Sequence, residues 1–178
     1  MDNNVIDSES FVESTLTAHE VELENLVQNL TQLHTEYYLK AEEALEGFEL
    51  KERLCKTVGQ QLIRIIDWAK KLPGYCNLVI SDQAILLQAA WVDLLILNWL
   101  FHSIHAEKGL RLSRVCCIEE EQAKELGFEN IYSHIVPLVG RAKKYHIDEE
   151  EISCLKAISL TNAGKFIISQ YFQMKLLC

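Results

Sequence analysis

Apolar positions recur along most of the chain at three- and four-residue steps, the spacing of one face of an α-helix. Leu23, Leu26, Leu30 and Leu33 make one such stripe among Glu and Gln, and it predicts a helix docked on a core rather than a short coiled-coil seam. From Leu50 onward, Leu54, Val58, Leu62, Ile65, Ala69 and Leu72 share a face, with Lys51, Lys56, Arg64 and Lys71 set largely apart from it. Pro73 and Gly74 stop that helix. The next one, Ser81 to Ser103, is apolar almost all the way round, and Asp93 is the only formal charge between Ala84 and Phe101. Ser81 is its expected N-cap, with Asp82 complementing the dipole in the first turn. Such a helix must be enclosed by protein or by lipid. A mid-helix Asp costs about 2.5–3.5 kcal/mol on membrane insertion, and Gln88 and Asn98 add to it, so the pattern predicts a buried central helix.

Beyond it, Gly109 to Cys117 alternates Leu110, Leu112 and Val115 with basic residues, as a short hairpin does. Glu119 to Leu126 reads as a brief polar helix ended by Gly127, and Phe128 to Tyr145 as a longer one. Asp148 and Glu151 form a D-x-x-E capping box for a helix carrying Ile152, Leu155, Ile158 and Leu160. The fold class expected is therefore all-α, with one small β-hairpin. Residues 1–18 are acidic and poor in large apolar side chains, and disorder is expected there. Thr35 to Glu49 fits either helix or loop.

Composition narrows the function. The 178 residues suit one domain, and 17 Lys plus Arg against 26 Asp plus Glu leave a charge of -9, which argues against direct nucleic-acid binding by this chain. Six cysteines without a C-x-x-C pair predict reduced, mostly buried thiols rather than a zinc module or disulfide framework. The acidic N-terminus lacks the basic and apolar regions of a secretory signal, which fits an intracellular protein. The glycines stand singly, so no phosphate-binding loop is indicated. His102 and His105 precede Cys116 and Cys117 without zinc-site spacing, and neither metal nor cofactor is expected. No base, nucleophile and oxyanion donor can be grouped, and the chain reads as a non-enzyme.

Three blocks are more specific: W-A-K-K-L-P-G-Y at Trp68 to Tyr75, S-D-Q-A-I-L-L-Q-A-A-W at Ser81 to Trp91, and E-I-S-C-L-K-A-I-S-L-T-N at Glu151 to Asn162. In this order they resemble the signature of nuclear receptor ligand-binding domains, W-A-K-x-x-P-x-F leading into D-Q-x-x-L-L-x-x-x-W and then E-x-x-C-L-K-A-I-x-L-x-N. The segment E-E-E-Q-A-K-E-L-G at Glu119 to Gly127 points to the estrogen-related subgroup of the steroid receptors. The resemblance runs from about Leu23 to Ala163, giving a partial ligand-binding domain over 19–163 and an unmatched apolar tail over 164–178.

What the resemblance implies is an antiparallel helical sandwich of three layers, incomplete at its C-terminus as in a truncated isoform, whose dimerisation is doubtful without the dimer helix. A lipophilic ligand would be lined by Leu54, Cys55, Val58 and Gln61 from one helix, Val92, Leu95, Ile96, Trp99 and His102 from the central helix, and Leu112. Estrogen-type receptors have Glu where Gln61 stands and Arg where His102 stands, so the ionic clamp for a phenolic hydroxyl is missing, and the bulk of Trp99 fills ligand space. Ile66, Lys70, Gln83 and Leu87 match a groove for an L-x-x-L-L coregulator helix, with the Lys70 ammonium facing the carbonyl end of that helix. The expected role is regulation of transcription in the nucleus, with a cytoplasmic location as the alternative. The competing reading is a helical module that binds no ligand and titrates coregulators or partner receptors.

Overall fold

The computed structural model describes residues 8–38 and 49–162, and expectations for residues 1–7, 39–48 and the 164–178 tail lie outside them. Six helices and one hairpin follow in order: α1 (Ser8–Tyr38), α2 (Leu50–Ala69), a short 3-10 turn (Tyr75–Asn77), α3 (Ile80–Ile104), β1 (Leu110–Arg111), β2 (Cys117–Ile118), α4 (Glu120–Glu125), α5 (Glu129–Lys144) and α6 (Glu149–Thr161). Helix α3 touches α2, α5, α6 and β1, while α1 reaches α2 and α6. The order of layers is α1 with α2, then α3 with α6, then α5, a helical sandwich with α3 in the middle.

Helix α1 begins at Ser8, inside the stretch expected to be disordered. The chain has neither Gly nor Pro before Gly47, so nothing local breaks the helix, and low hydrophobicity alone was a poor guide. Its leucine stripe docks only at one end: Leu30 is buried and Leu33 packs on the core, whereas Leu23 and Leu26 face solvent.

Along α2 the deepest line is Thr57, Gln61, Ile65, Trp68 and Ala69, while Leu54, Val58 and Leu62 are half-buried. The inner face is thus turned toward two polar residues. Helix α3 starts one residue before Ser81, with Val79 as N-cap and no side-chain cap. Ser81 sits too far into the first turn to cap it, and its hydroxyl instead lies 3.5 Å from Asp82. The buried residues of α3 lie almost all in its second half. Leu94, Leu97 and Leu100 are fully buried, but Ile80, Ile85, Trp91 and Val92 are exposed. The helix is long and apolar enough to cross a membrane by length and composition, yet its C-terminal half forms the centre of a protein core. Each leucine buried there contributes about 1.5–3 kcal/mol.

The hairpin forms as expected, with Leu110 opposite Ile118 and Arg111 opposite Cys117. Leu110 and Leu112 point inward, whereas Val115, at the turn, is exposed. The capping box of α6 is present in both directions: Glu151 N donates to Asp148 Oδ1 at 2.8 Å and Asp148 N donates to Glu151 Oε2 at 3.2 Å. Of the cysteines described, only Cys116 is buried, and Cys55 and Cys76 are exposed, contrary to the expectation of mostly buried thiols.

Gly109 enters the hairpin at φ +71°, and a Cβ there would stand 2.8 Å from the Ile118 carbonyl oxygen and 3.0 Å from Cys117 Sγ. Gly109→Ala is therefore expected to cost about 1–3 kcal/mol through backbone strain and contact with a fixed strand. A lowered urea midpoint with an unchanged slope would register it.

Candidate functional site

Two regions on the α2 and α3 pair gather the residues singled out in the sequence. The first is internal. Gln61, on the inner line of α2, accepts a hydrogen bond from Trp99 Nε1 of α3 through Oε1 at 2.7 Å, and its Nε2 donates to the Leu112 carbonyl beside the hairpin. The three groups satisfy one another in a buried place, where an unpaired one costs about 1–3 kcal/mol. The Trp99 indole also meets Phe128 edge to face, centroids 5.9 Å apart. Trp99 is thus held by hydrogen bond and packing, with its ring filling the core.

Of the ten residues expected around a lipophilic ligand, Gln61, Leu95, Trp99, His102 and Leu112 are buried and Leu54, Val58 and Ile96 are half-buried. Cys55 and Val92 face outward and line no enclosed space. The family resemblance placed these two at the ligand, but in the fold both side chains are exposed. The cavity that Gln61 and His102 do share measures about 30 Å³, an order of magnitude below the roughly 300–1,000 Å³ of ligand pockets.

His102 is held neutral. Burial first, then the nearby Arg114, Arg111, Arg64 and Lys156 charges, bring its pKa down to about 3. It cannot supply the cationic arm of a phenol clamp. His34 of α1, also at this cavity, is lowered to about 2 by burial, then by Lys156 and His102. Its Nδ1 lies 3.3 Å from Glu149 Oε1, and Glu149 also accepts from the Thr35 hydroxyl, joining α1 to α6.

Sequence reasoning missed His34, Arg64, Asn98 and Lys156 as cavity residues. For Lys156 a signal existed: it lies four residues after Ile152 and four before Leu160, on the buried face of α6.

The second region is on the surface, where α2 ends and α3 begins. Ile66 is 39 % exposed, Lys70 is exposed, and Gln83 and Leu87 are half-buried. The turn between the helices is firmly built: Trp68, Leu72 and Tyr75 are buried, Gly74 adopts φ +82°, and Tyr75 OH donates to the Gln83 carbonyl at 2.7 Å. The Gln83 side chain donates back to the Leu78 carbonyl at 2.8 Å, so it braces the turn. Ile63, Val79 and Ile80 add exposed apolar surface nearby in the chain.

Comparison with known proteins bears on this arrangement. A family profile described as the ligand-binding domain of nuclear hormone receptor matches residues 49–175, past Ala163 and into the segment read from the sequence as unmatched. The steroid hormone receptor ERR2 of Rattus norvegicus is 36% identical over 115 residues, covering 65% of this chain and 27% of that protein. The estrogen-related receptor gamma of Homo sapiens is likewise 36% identical over 115 residues, covering 65% of this chain and 25% of that protein. The chain thus spans about a quarter of the length of these relatives. Among solved structures, the ultraspiracle ligand binding domain from Drosophila melanogaster superimposes with a TM-score of 0.67, at 23% identity, covering 83% of this chain and 71% of that one. That likeness concerns the fold alone. With the profile matching residues 49–175, more than half of the chain, and the helical sandwich formed around α3, the chain belongs to the nuclear hormone receptor ligand-binding domain family.

Proposed function

We propose that the chain acts in transcription regulation as a coregulator-docking module that takes no lipophilic ligand. The observation that carries this reading is the Gln61, Trp99 and Leu112 node, which occupies the interior where a ligand would lie. A pocket already filled by a hydrogen-bonded indole has no room for a hormone-sized molecule, and expelling the indole would orphan Gln61 Oε1. This favours the helical interaction module over the ligand-responsive receptor domain.

The docking surface is the strip of Ile66, Lys70, Gln83 and Leu87. Ile66 and Leu87 supply apolar contact for the leucines of an L-x-x-L-L helix. Lys70 follows the last turn of α2 with its side chain in solvent, placed to meet the negative carbonyl end of the incoming helix. Gln83, whose side chain donates to the Leu78 carbonyl, braces the entry into α3 beside this strip. Nuclear localisation and titration of coregulators or partner receptors follow from this role.

Binding of a fluorescent L-x-x-L-L peptide, followed by anisotropy without added ligand, tests the reading. Lys70→Ala is expected to weaken binding about fivefold, the worth of one charge at a helix end. Leu87→Asp should abolish binding, because a carboxylate would be set into the apolar strip. Equal affinity for wild type and both variants would overturn the assignment of this surface.

A further inference from the structure

Part of α1 stands clear of the sandwich. Every residue from Glu20 to Leu26 is exposed, and burial begins only at Val27 and deepens at Leu30 and His34. Leu23 is 62 % and Leu26 42 % exposed, yet both belong to the stripe whose other end is docked, since Leu30 and Leu33 follow them at seven-residue steps and pack on the core. Leucines repeating in this way occupy the a and d places of a heptad, the seam of a two-helix coiled coil. In the sequence the same places run back through His19 and Leu16 to Val12, so the repeat spans three heptads and the chain's own core takes up the last.

We propose that the stretch of α1 around Leu23 and Leu26 is a docking seam for a partner helix whose own leucine stripe is flanked by Lys and Arg. Charge sets the partner. Residues 1–39 hold eight of the chain's 26 acidic residues and none of its 17 Lys and Arg, so nearly all of the net charge of -9 resides there. The e and g places beside the seam, which set partner choice in coiled coils, carry Glu20 on one side and Glu22 on the other, with Glu13 before them. A second copy would double this acidic excess without a cation to meet it, and two such arms repel.

The docked end holds the exposed end in place. Glu149 of α6 accepts from the Thr35 hydroxyl and meets His34, and Lys71, just past α2, donates to Glu36 at 2.8 Å. The stretch before them is thus presented as a formed helix, and the partner alone bears the cost of ordering. The seam shares no residue with the strip of Ile66, Lys70, Gln83 and Leu87, so the two surfaces can be tested apart.

Fluorescence anisotropy of the full chain with a labelled synthetic helix of three heptads, Leu at every a and d place and Lys at every e and g place, tests the proposal. The expected result is saturable binding that weakens as salt is added and falls at least about a hundredfold in Leu23→Asp/Leu26→Asp, the worth of two buried leucines. General attraction of the Lys peptide to an acidic protein would instead grow in that variant, which gains negative charge. A matched peptide with Glu at e and g should bind the wild type at least about tenfold more weakly. Equal affinity of wild type and double variant, or of the two peptides for the wild type, would overturn the proposal. Displacement of the Lys peptide by an unlabelled L-x-x-L-L peptide would also overturn it, by placing the helix on the strip at Ile66 and Leu87. So would sedimentation of the chain alone as a dimer that the double variant dissolves, because the seam would then hold a second copy. The peptide comparison and the displacement need only the wild-type chain, so they decide even where the double variant fails to fold.

Discussion

Trp99→Ala should destabilise the fold by about 3–5 kcal/mol and, at the same time, give it an affinity for small apolar molecules that the wild type lacks. The indole is 5 % exposed and donates to Gln61 Oε1. Removing it deletes a large apolar body, leaves a hole that the surrounding helices close only in part, and strands a buried acceptor. A loss of that size is a fifth or more of the roughly 5–15 kcal/mol that keeps a domain folded. An apolar hole on the order of 150 Å³ stays dry and admits a benzene-sized guest, which returns part of the lost stability. Trp99→Phe separates the two contributions: it keeps most of the packing against Phe128 and loses the N–H, so about 1–3 kcal/mol is expected. Urea unfolding, with and without a saturating apolar guest, measures all three proteins.

Lowering the pH from 7 to 5 should remove about 4 kcal/mol of stability. His34 and His102 have folded pKa values of about 2 and 3 against 6.5 for an ordinary histidine. Below pH 6.5 the unfolded chain binds both protons while the native state refuses them, so stability falls as the solution is acidified. Each group contributes about 1.4 kcal/mol per pH unit in that window, and two groups over about 1.5 units give the total. Above pH 6.5 both are neutral in either state and their penalty vanishes. Lys156 extends the trend: lowered to about 7 from 10.5, it favours the native state progressively as pH rises between those values. His102→Gln should roughly halve the acid slope, and equal slopes for variant and wild type would show that carboxylates control acid unfolding instead.

Much of the architecture was legible because it is written locally. The Pro73–Gly74 stop, the Asp148–Glu151 capping box and the Gly127 helix end each satisfy a backbone requirement with residues a few positions apart. Three ordered sequence blocks also carried the family, which periodicity could not have done. What was not legible depends on neighbours distant in sequence. The family resemblance put Cys55 and Val92 at the ligand, but only the packed fold shows that both are exposed. Likewise, α3 was read as enclosed on every side, while Ile80, Ile85 and Trp91 at its first half are exposed. Lys156 illustrates the opposite failure. A lysine is ordinarily solvated, but the place of this one between Ile152 and Leu160 on the buried face of α6 carries it inside, where its ammonium lies over the Trp68 ring.

The bulk of Trp99 was visible as a letter and could be anticipated from the sequence. Its hydrogen bond to Gln61 could not, since the two residues lie on different helices 38 positions apart. That bond converts a large side chain into a fixed plug, and the ligand-free reading depends on it.

The most direct measurement is therefore a thermal-shift titration of wild type and Trp99→Ala with the same panel of lipophilic compounds, steroids and small aromatics included. The expected result is no saturable shift for the wild type with any of them, and a saturable rise for Trp99→Ala with the small aromatics. A saturable, micromolar stabilisation of the wild type by a steroid-sized compound would contradict the filled interior and return the chain to the ligand-responsive receptors.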